Sequence, residues 1–136
     1  MLDTSMAVSW FFEDEASKGE DLQVLRRLGE SWAVVPAIWP FEVANVLLVA
    51  LRRERLKSSE VYRVMELLSR FPIKIEDVNL DLAFKAIYPI SQELGLSIYD
   101  ASYLELAMRR GLPLATKDTA LANSAQKAGV PLVIAL

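Results

Sequence analysis

The stretch LGLSIYDASYLELAMRRGL, Leu94 to Leu112, decides how the rest of the chain reads. Gly95 and Gly111 bracket it, and Ser97 stands where a helix N-cap belongs. If Ser97 to Met108 is helical, Ala101, Leu104, Ala107 and Met108 form one apolar stripe. Asp100 lies one turn before Leu104 on the same side, so a carboxylate stands at the inner edge of a helix built for burial. Ser97-Ile98-Tyr99-Asp100 also matches a capping box, with the acid at the third helical position.

Working outward, Pro113 to Thr116 reads as a strand, Asp118 to Ala128 as a helix and Pro131 to Ile134 as a last strand. Toward the N-terminus, Asn79 to Leu94 is helical with a kink at Pro89, and Ile73 to Ile75 is a strand. Ser58 or Ser59 caps a helix that buries Val61, Val64, Leu67 and Leu68. Pro40 opens a long helix, with Phe41, Val43, Ala44, Val46, Leu47 and Ala50 inward and a cationic tail, RRERLK. Trp32 to Val35 is a short strand closed by Pro36. Glu15 to Leu28 reads as a helix with a stripe at Leu22, Leu25 and Leu28, ended by Gly29. Thr4 to Phe12 starts another helix, and Met1 to Asp3 ends a short strand. Strands written as apolar runs and alternating with helices predict an α/β fold with a parallel, covered sheet. Residues 1–136 are expected to form a single domain.

Composition narrows the chemistry. Of 136 residues, 53% are hydrophobic and 24% charged, which suits one packed core and argues against disorder. No run of eighteen apolar residues offers a membrane span, and MLDTSMAVSWFF lacks the basic leader of a secretory signal. The absence of cysteine excludes disulfides and thiolate chemistry and is compatible with a cytoplasmic protein. The absence of histidine excludes a Ser-His-Asp triad, a histidine base and imidazole metal ligands. Carboxylate, lysine, tyrosine and hydroxyl groups remain. The net charge of −3 does not argue against a nucleic-acid partner: setting four of the 18 acids aside leaves 14 against 15 basic residues.

In open parallel sheets, ligands bind where strands end and helices begin. Those junctions collect Asp3, Glu42, Asp100 and Asp118. Each acid has an ordinary explanation: N-capping for Asp3 and Asp118, the helix dipole for Glu42, the capping box for Asp100. Serine, threonine or asparagine would cap as well, yet all four junctions carry full negative charge within apolar sequence. Glu42 also shares a helix face with Asn45 and Val46. Acids held close repel and are costly to desolvate, and a cation removes that cost. Oxygen-only ligation suits Mg²⁺ or Mn²⁺. Both readings stand at this point. For phosphate contacts the chain offers Arg52, Arg53, Arg55 and Lys57 at one helix end, Arg109 and Arg110 at another, and Lys117 beside Asp118. The first two groups also suit plain helix C-termini; Lys117 is the preferred phosphate contact because its neighbour Asp118 fixes its location. Trp10, Phe11 and Phe12 offer an aromatic run for the core or for a partner, and Tyr99 could stack a base.

LDTS at Asp3, PFEVANVL at Glu42, IYDASYLELA at Asp100 and ATKDTAL at Asp118 together resemble the PIN-domain family, in particular the small VapC-type toxins of type II toxin–antitoxin modules. The resemblance spans nearly the whole chain. It implies an α/β/α sandwich with a central five-stranded parallel sheet. It also implies a Mg²⁺- or Mn²⁺-dependent ribonuclease whose metal and catalytic residues are Asp3, Glu42, Asp100 and Asp118, supported by Ser5 and Thr116. Asn45 is added to the supporting set from its place on the Glu42 helix. A homodimer silenced by a small antitoxin is implied too, as are products with 5′-phosphate and 3′-hydroxyl ends. Two departures stand out. Only Met1 and Leu2 precede Asp3, so the first strand is expected to be short or to start upstream. Asn123 stands near where a further acid is common. A receiver domain would want adjacent acids after the first strand, and a dehalogenase-like phosphatase would want Asp-x-Asp; LDTS meets neither. A catalytically inactive PIN-like module that binds RNA or a partner is the remaining alternative.

Overall fold

The computed structural model describes residues 1–12 and 18–133. Helix α1 (Thr4–Ser9) is followed by α2 (Lys18–Glu30), strand β1 (Ala33–Pro36), α3 (Trp39–Arg52) and α4 (Ser58–Ser69). Strand β2 (Ile73–Glu76), α5 (Leu80–Leu82), α6 (Tyr88–Leu94), α7 (Ile98–Arg110) and α8 (Thr119–Lys127) complete the order. No described helix is long and apolar enough to cross a membrane.

The opening stretch forms the heart of the molecule. Ser97 caps α7, its Oγ accepting the Asp100 N–H at 3.1 Å. Gly111, at φ +61°, ends the helix in the left-handed conformation. Ala101 to Ala107 are all buried, so α7 is covered on every side through its middle. The expected stripe stops there: Met108 is 50% exposed. The C-terminus of α7 is fastened to the end of β2, where Glu76 meets Arg109 at 3.2 Å and also pairs with Arg110. Arg109 also holds the buried Glu105 at 2.7 Å. The two arginines that the sequence offered for phosphate contact are engaged in this structural latch.

β1 and β2 pair in parallel, Ala33 opposite Ile73 through Pro36 opposite Glu76. Among the described residues only these two of the five expected strands are regular; Ile134, the expected end of the last strand, lies outside the described residues. Around Leu2, Leu114 and Leu132 the pairing reduces to single parallel bridges, Leu2 to Ala115 and Leu114 to Leu132. Backbone bonds continue the arrangement: Leu2 N–H donates to Val34 O (3.3 Å), Asp3 N–H to Ala115 O (2.9 Å) and Leu114 N–H to Pro131 O (2.9 Å). Two causes interrupt the ladder. The chain turns into α1 directly after Asp3, and Pro113 and Pro131 have no N–H to donate. The segments run parallel, so Asp3, Pro36 and Thr116 end on one edge, where α1, α3 and α8 begin.

Three further expectations are corrected. In α2 the predicted stripe is out of phase: Leu22 is 54% exposed, whereas Val24 and Asp21 are buried. Asp21 sits inward because it pairs with Lys117, which an apolar count overlooks. Gly29 lies within α2 and does not end it, and the start expected at Glu15 falls outside the described residues. In α3, Trp39, Val43, Leu47 and Ala50 face inward at helical spacing, but Phe41 is 74% exposed and Ala44 is exposed. The kink expected at Pro89 takes the form of a π turn, Ala83–Ile87, just before the proline whose missing N–H breaks the helical ladder. The Val61, Val64 and Leu68 face of α4 is buried as predicted, but Leu67 is only partly buried and the N-cap is Lys57, whose N–H donates to Glu60, not Ser58 or Ser59.

Candidate acidic site at the carboxyl ends of the strands

Asp3 follows the first extended segment and is buried. It does not cap α1 through its side chain. Instead Oδ2 accepts two hydroxyls, Ser5 Oγ and Thr116 Oγ1, each at 2.7 Å. Those hydroxyls lie 3.2 Å apart and in turn accept backbone donors: Lys117 N–H to Ser5 Oγ (2.9 Å) and Asp118 N–H to Thr116 Oγ1 (3.0 Å). One network thus fixes Asp3 against the turn that leads into α8. Asp118 does cap its helix, Oδ1 accepting Leu121 N–H at 3.0 Å. The capping explanation holds for this residue.

Glu42, in the first turn of α3, is held by a second network. Tyr103, fully buried in α7, donates its hydroxyl to Glu42 Oε1 at 2.6 Å. Thr4 Oγ1 lies 3.1 Å from the Tyr103 hydroxyl and 3.5 Å from Glu42 Oε1. Thr4 and Ser5 are consecutive, and they serve different acids. For Asp100 the serine half of the capping box forms, through its backbone N–H, while its carboxyl group is half-buried.

The charges are coupled. Burial pushes the Asp3 carboxyl above its ordinary 3.8; the bonds from Thr116 and Ser5 oppose this and the charge of Asp118 adds to it. Burial also raises Glu42, against the Tyr103 bond, with Asp3 and Asp100 adding to the rise. Asp100 is raised by burial, then by Asp118 and Asp3. Every one of these three acids is therefore pushed upward by at least one other member of the sequence-predicted set.

The donor set is carboxylate and hydroxyl oxygen, the chemistry of a hard divalent cation, and the accumulated negative charge matches it. Among the described residues, however, no three carboxylates are already arranged as a closed coordination group. The residues fit such an ion in donor type and charge, and separate hydroxyl networks anchor Asp3 and Glu42. A groove of about 440 Å³, lined by Ser5, Val8, Ser9, Val46 and Lys117, opens beside the Asp3 network.

Two sequence-predicted residues stand elsewhere. Asn45 is exposed and lines a small groove with Phe12, Val49 and Arg53; among the described residues it makes no hydrogen bond to the acids. Lys117 contributes its backbone N–H to the Asp3 network, but its ammonium pairs with Asp21 at 3.0 Å. Of the aromatic run, Phe12 is buried under the Arg55 guanidinium, 4.3 Å above its ring, and Trp10 packs edge-on against Phe71. Tyr103, Thr4 and Asp21 were missed. Tyr103 carried a signal: it stands three residues after Asp100 in an apolar run, and a buried tyrosine hydroxyl needs a partner.

Comparison with curated proteins finds no match. Among solved structures, that of PAE2754 from Pyrobaculum aerophilum superposes with a TM-score of 0.65 at 23% identity, over 97% of this chain and 81% of that one, which shows a shared fold. The family model of the PIN domain matches residues 1–127. The chain belongs to the PIN-domain family, whose members are generally metal-dependent nucleases.

Proposed function

We propose that this protein is an endoribonuclease that hydrolyses RNA phosphodiester bonds with Mg²⁺ or Mn²⁺. We further propose that it is the cytoplasmic toxin of a type II toxin–antitoxin pair, a homodimer silenced by its antitoxin. One observation supports the nuclease reading: Asp3, Glu42 and Asp100, from distant parts of the chain, are each pushed upward by the charge of at least one other acid of the set. An apolar groove of about 270 Å³, flanked by Phe41, Val78, Ile98 and Tyr99, supports a protein partner.

Asp3, Glu42, Asp100 and Asp118 would hold the ion. When bound, it would activate water and neutralise charge building on the phosphate. The chain itself orients the ligands. Ser5 and Thr116 fix one oxygen of Asp3, and the cap bond to Leu121 fixes one oxygen of Asp118. With no histidine in the sequence, the base would be a carboxylate or the water that the ion activates. Hydrolysis that needs no attack by the 2′-hydroxyl leaves 5′-phosphate and 3′-hydroxyl ends, and RNA preference then resides in the groove.

Incubation with total cellular RNA and Mg²⁺, followed by mapping of new ends, tests the reading. The wild type is expected to cut at discrete sites and the Asp100→Asn variant to lose cutting. Equal cleavage by both proteins, or none by either with Mg²⁺ and Mn²⁺, would overturn it.

A further inference from the structure

We infer that Tyr103 is a positioning residue, which locks one oxygen of Glu42 so that the carboxylate can offer only the other to a cation. The inference rests on the acidic-site reading above. Tyr103 is fully buried in the covered middle of α7, and its phenol O–H is a proton donor at neutral pH. Its bond to Glu42 Oε1 is 2.6 Å, short enough for a charge-assisted hydrogen bond. With that proton committed, the hydroxyl oxygen can accept from Thr4 Oγ1 at 3.1 Å. The resulting line, Thr4 to Tyr103 to Glu42, joins α1, α7 and α3. Thr4 Oγ1 also lies 3.5 Å from the same carboxylate oxygen, Oε1, so its one proton goes either to the Tyr103 oxygen or to Glu42, and either way it bears on Oε1. Glu42 stands in the first turn of α3 on a flexible side chain, and these contacts remove its freedom to swing toward solvent. A carboxylate held by one oxygen binds through the other, as a single-point ligand. Second-layer hydrogen bonds of this kind orient metal ligands, and their loss typically weakens binding by roughly 10-fold or more.

The test is Mn²⁺ binding to the intact protein, followed by electron paramagnetic resonance of the free ion, for wild type, Tyr103→Phe, Thr4→Val, Glu42→Gln and Asp100→Asn. Phenylalanine keeps the ring that fills the core, and melting in chelator checks that each variant is folded. Tyr103→Phe is expected to weaken Mn²⁺ binding roughly 10-fold. Thr4→Val, a near-isostere one bond further back, is expected to weaken it less. The double variant is expected to lose no more than Tyr103→Phe alone, because both act through one oxygen. With RNA, Tyr103→Phe should lower kcat at saturating substrate and leave KM nearly unchanged. A folded Tyr103→Phe that binds Mn²⁺ as tightly as wild type, while Glu42→Gln and Asp100→Asn bind weakly, would overturn the inference and leave the acidic site standing. If Glu42→Gln and Asp100→Asn also bind as wild type, the acidic site itself fails. Should Tyr103→Phe not fold, wild-type affinity in Thr4→Val would overturn the inference.

Discussion

At the scale of the residue, Asp100 is where capping and ligation make opposite demands. Its backbone N–H serves the cap, and its half-buried carboxyl group, which also meets Ser97, feels the charges of Asp118 and Asp3. Asp100→Asn keeps the shape and removes the repulsion from Asp118 and Asp3. The metal-free variant should therefore be more stable than wild type. Solvent screening of a half-exposed group holds the gain to about 0.5 kcal/mol, measurable by denaturant melts in chelator. Ser97→Ala, by contrast, removes the cap bond and should cost about 1 kcal/mol in the same assay. These acids were legible because their type and their place at strand–helix junctions are both local facts. Tyr103 and Thr4 were not, because a hydroxyl shows its partner only once α1, α3 and α7 are packed. Lys117 shows the converse error: its chain neighbour Asp118 drew the reading, while its ammonium went to Asp21, ninety-six residues away in sequence by their numbers.

Among the elements, α7 was the most legible, since its serine cap, its glycine stop and its apolar run agree. Its exit depends on Gly111 at φ +61°, where a Cβ would meet nothing within 4 Å. Gly111→Ala should thus cost only the conformational penalty, about 1 kcal/mol, with the fold intact by circular dichroism. The phase of α2 was not legible, because a buried ion pair places Asp21 where an apolar residue is expected. The π turn before Pro89 was half legible: the proline announces a break but not how neighbouring turns absorb it. The single bridges at Leu2, Leu114 and Leu132 follow from the prolines and the early start of α1: the shortness of the first strand was legible, whereas Pro113 and Pro131 were read as ordinary strand starts.

For the whole molecule, the clustered acids make stability depend on pH in a definite direction. Asp3, Glu42 and Asp100 have raised values, so in the metal-free native state they hold protons that the unfolded chain has released. The unfolded state binds fewer protons there, and stability falls as pH rises. Above the ordinary values of 3.8 and 4.5, the metal-free protein should therefore lose stability toward neutrality. Glu76 works the other way. Burial alone would raise it, but the bonds and charges of Arg110 and Arg109 outweigh that and hold it below 4.5. Its contribution is lost only on further acidification, outside the window of the acidic site. The buried Met1 ammonium, lowered to about 6 by burial and then by Arg27, works against this trend above pH 6, so the signature of the acids is a difference: from pH 7 to about 5 the metal-free wild type should gain more in melting temperature than Asp100→Asn. The most direct test of the central claim, that these acids form one cation site, is the melting temperature at neutral pH in chelator and in excess Mn²⁺. At a concentration about 100-fold above Kd the ion should add about 2.7 kcal/mol, a rise on the order of 10 °C, absent from Asp100→Asn. An equal melting temperature with and without Mn²⁺, or the same rise in wild type and variant, would contradict it.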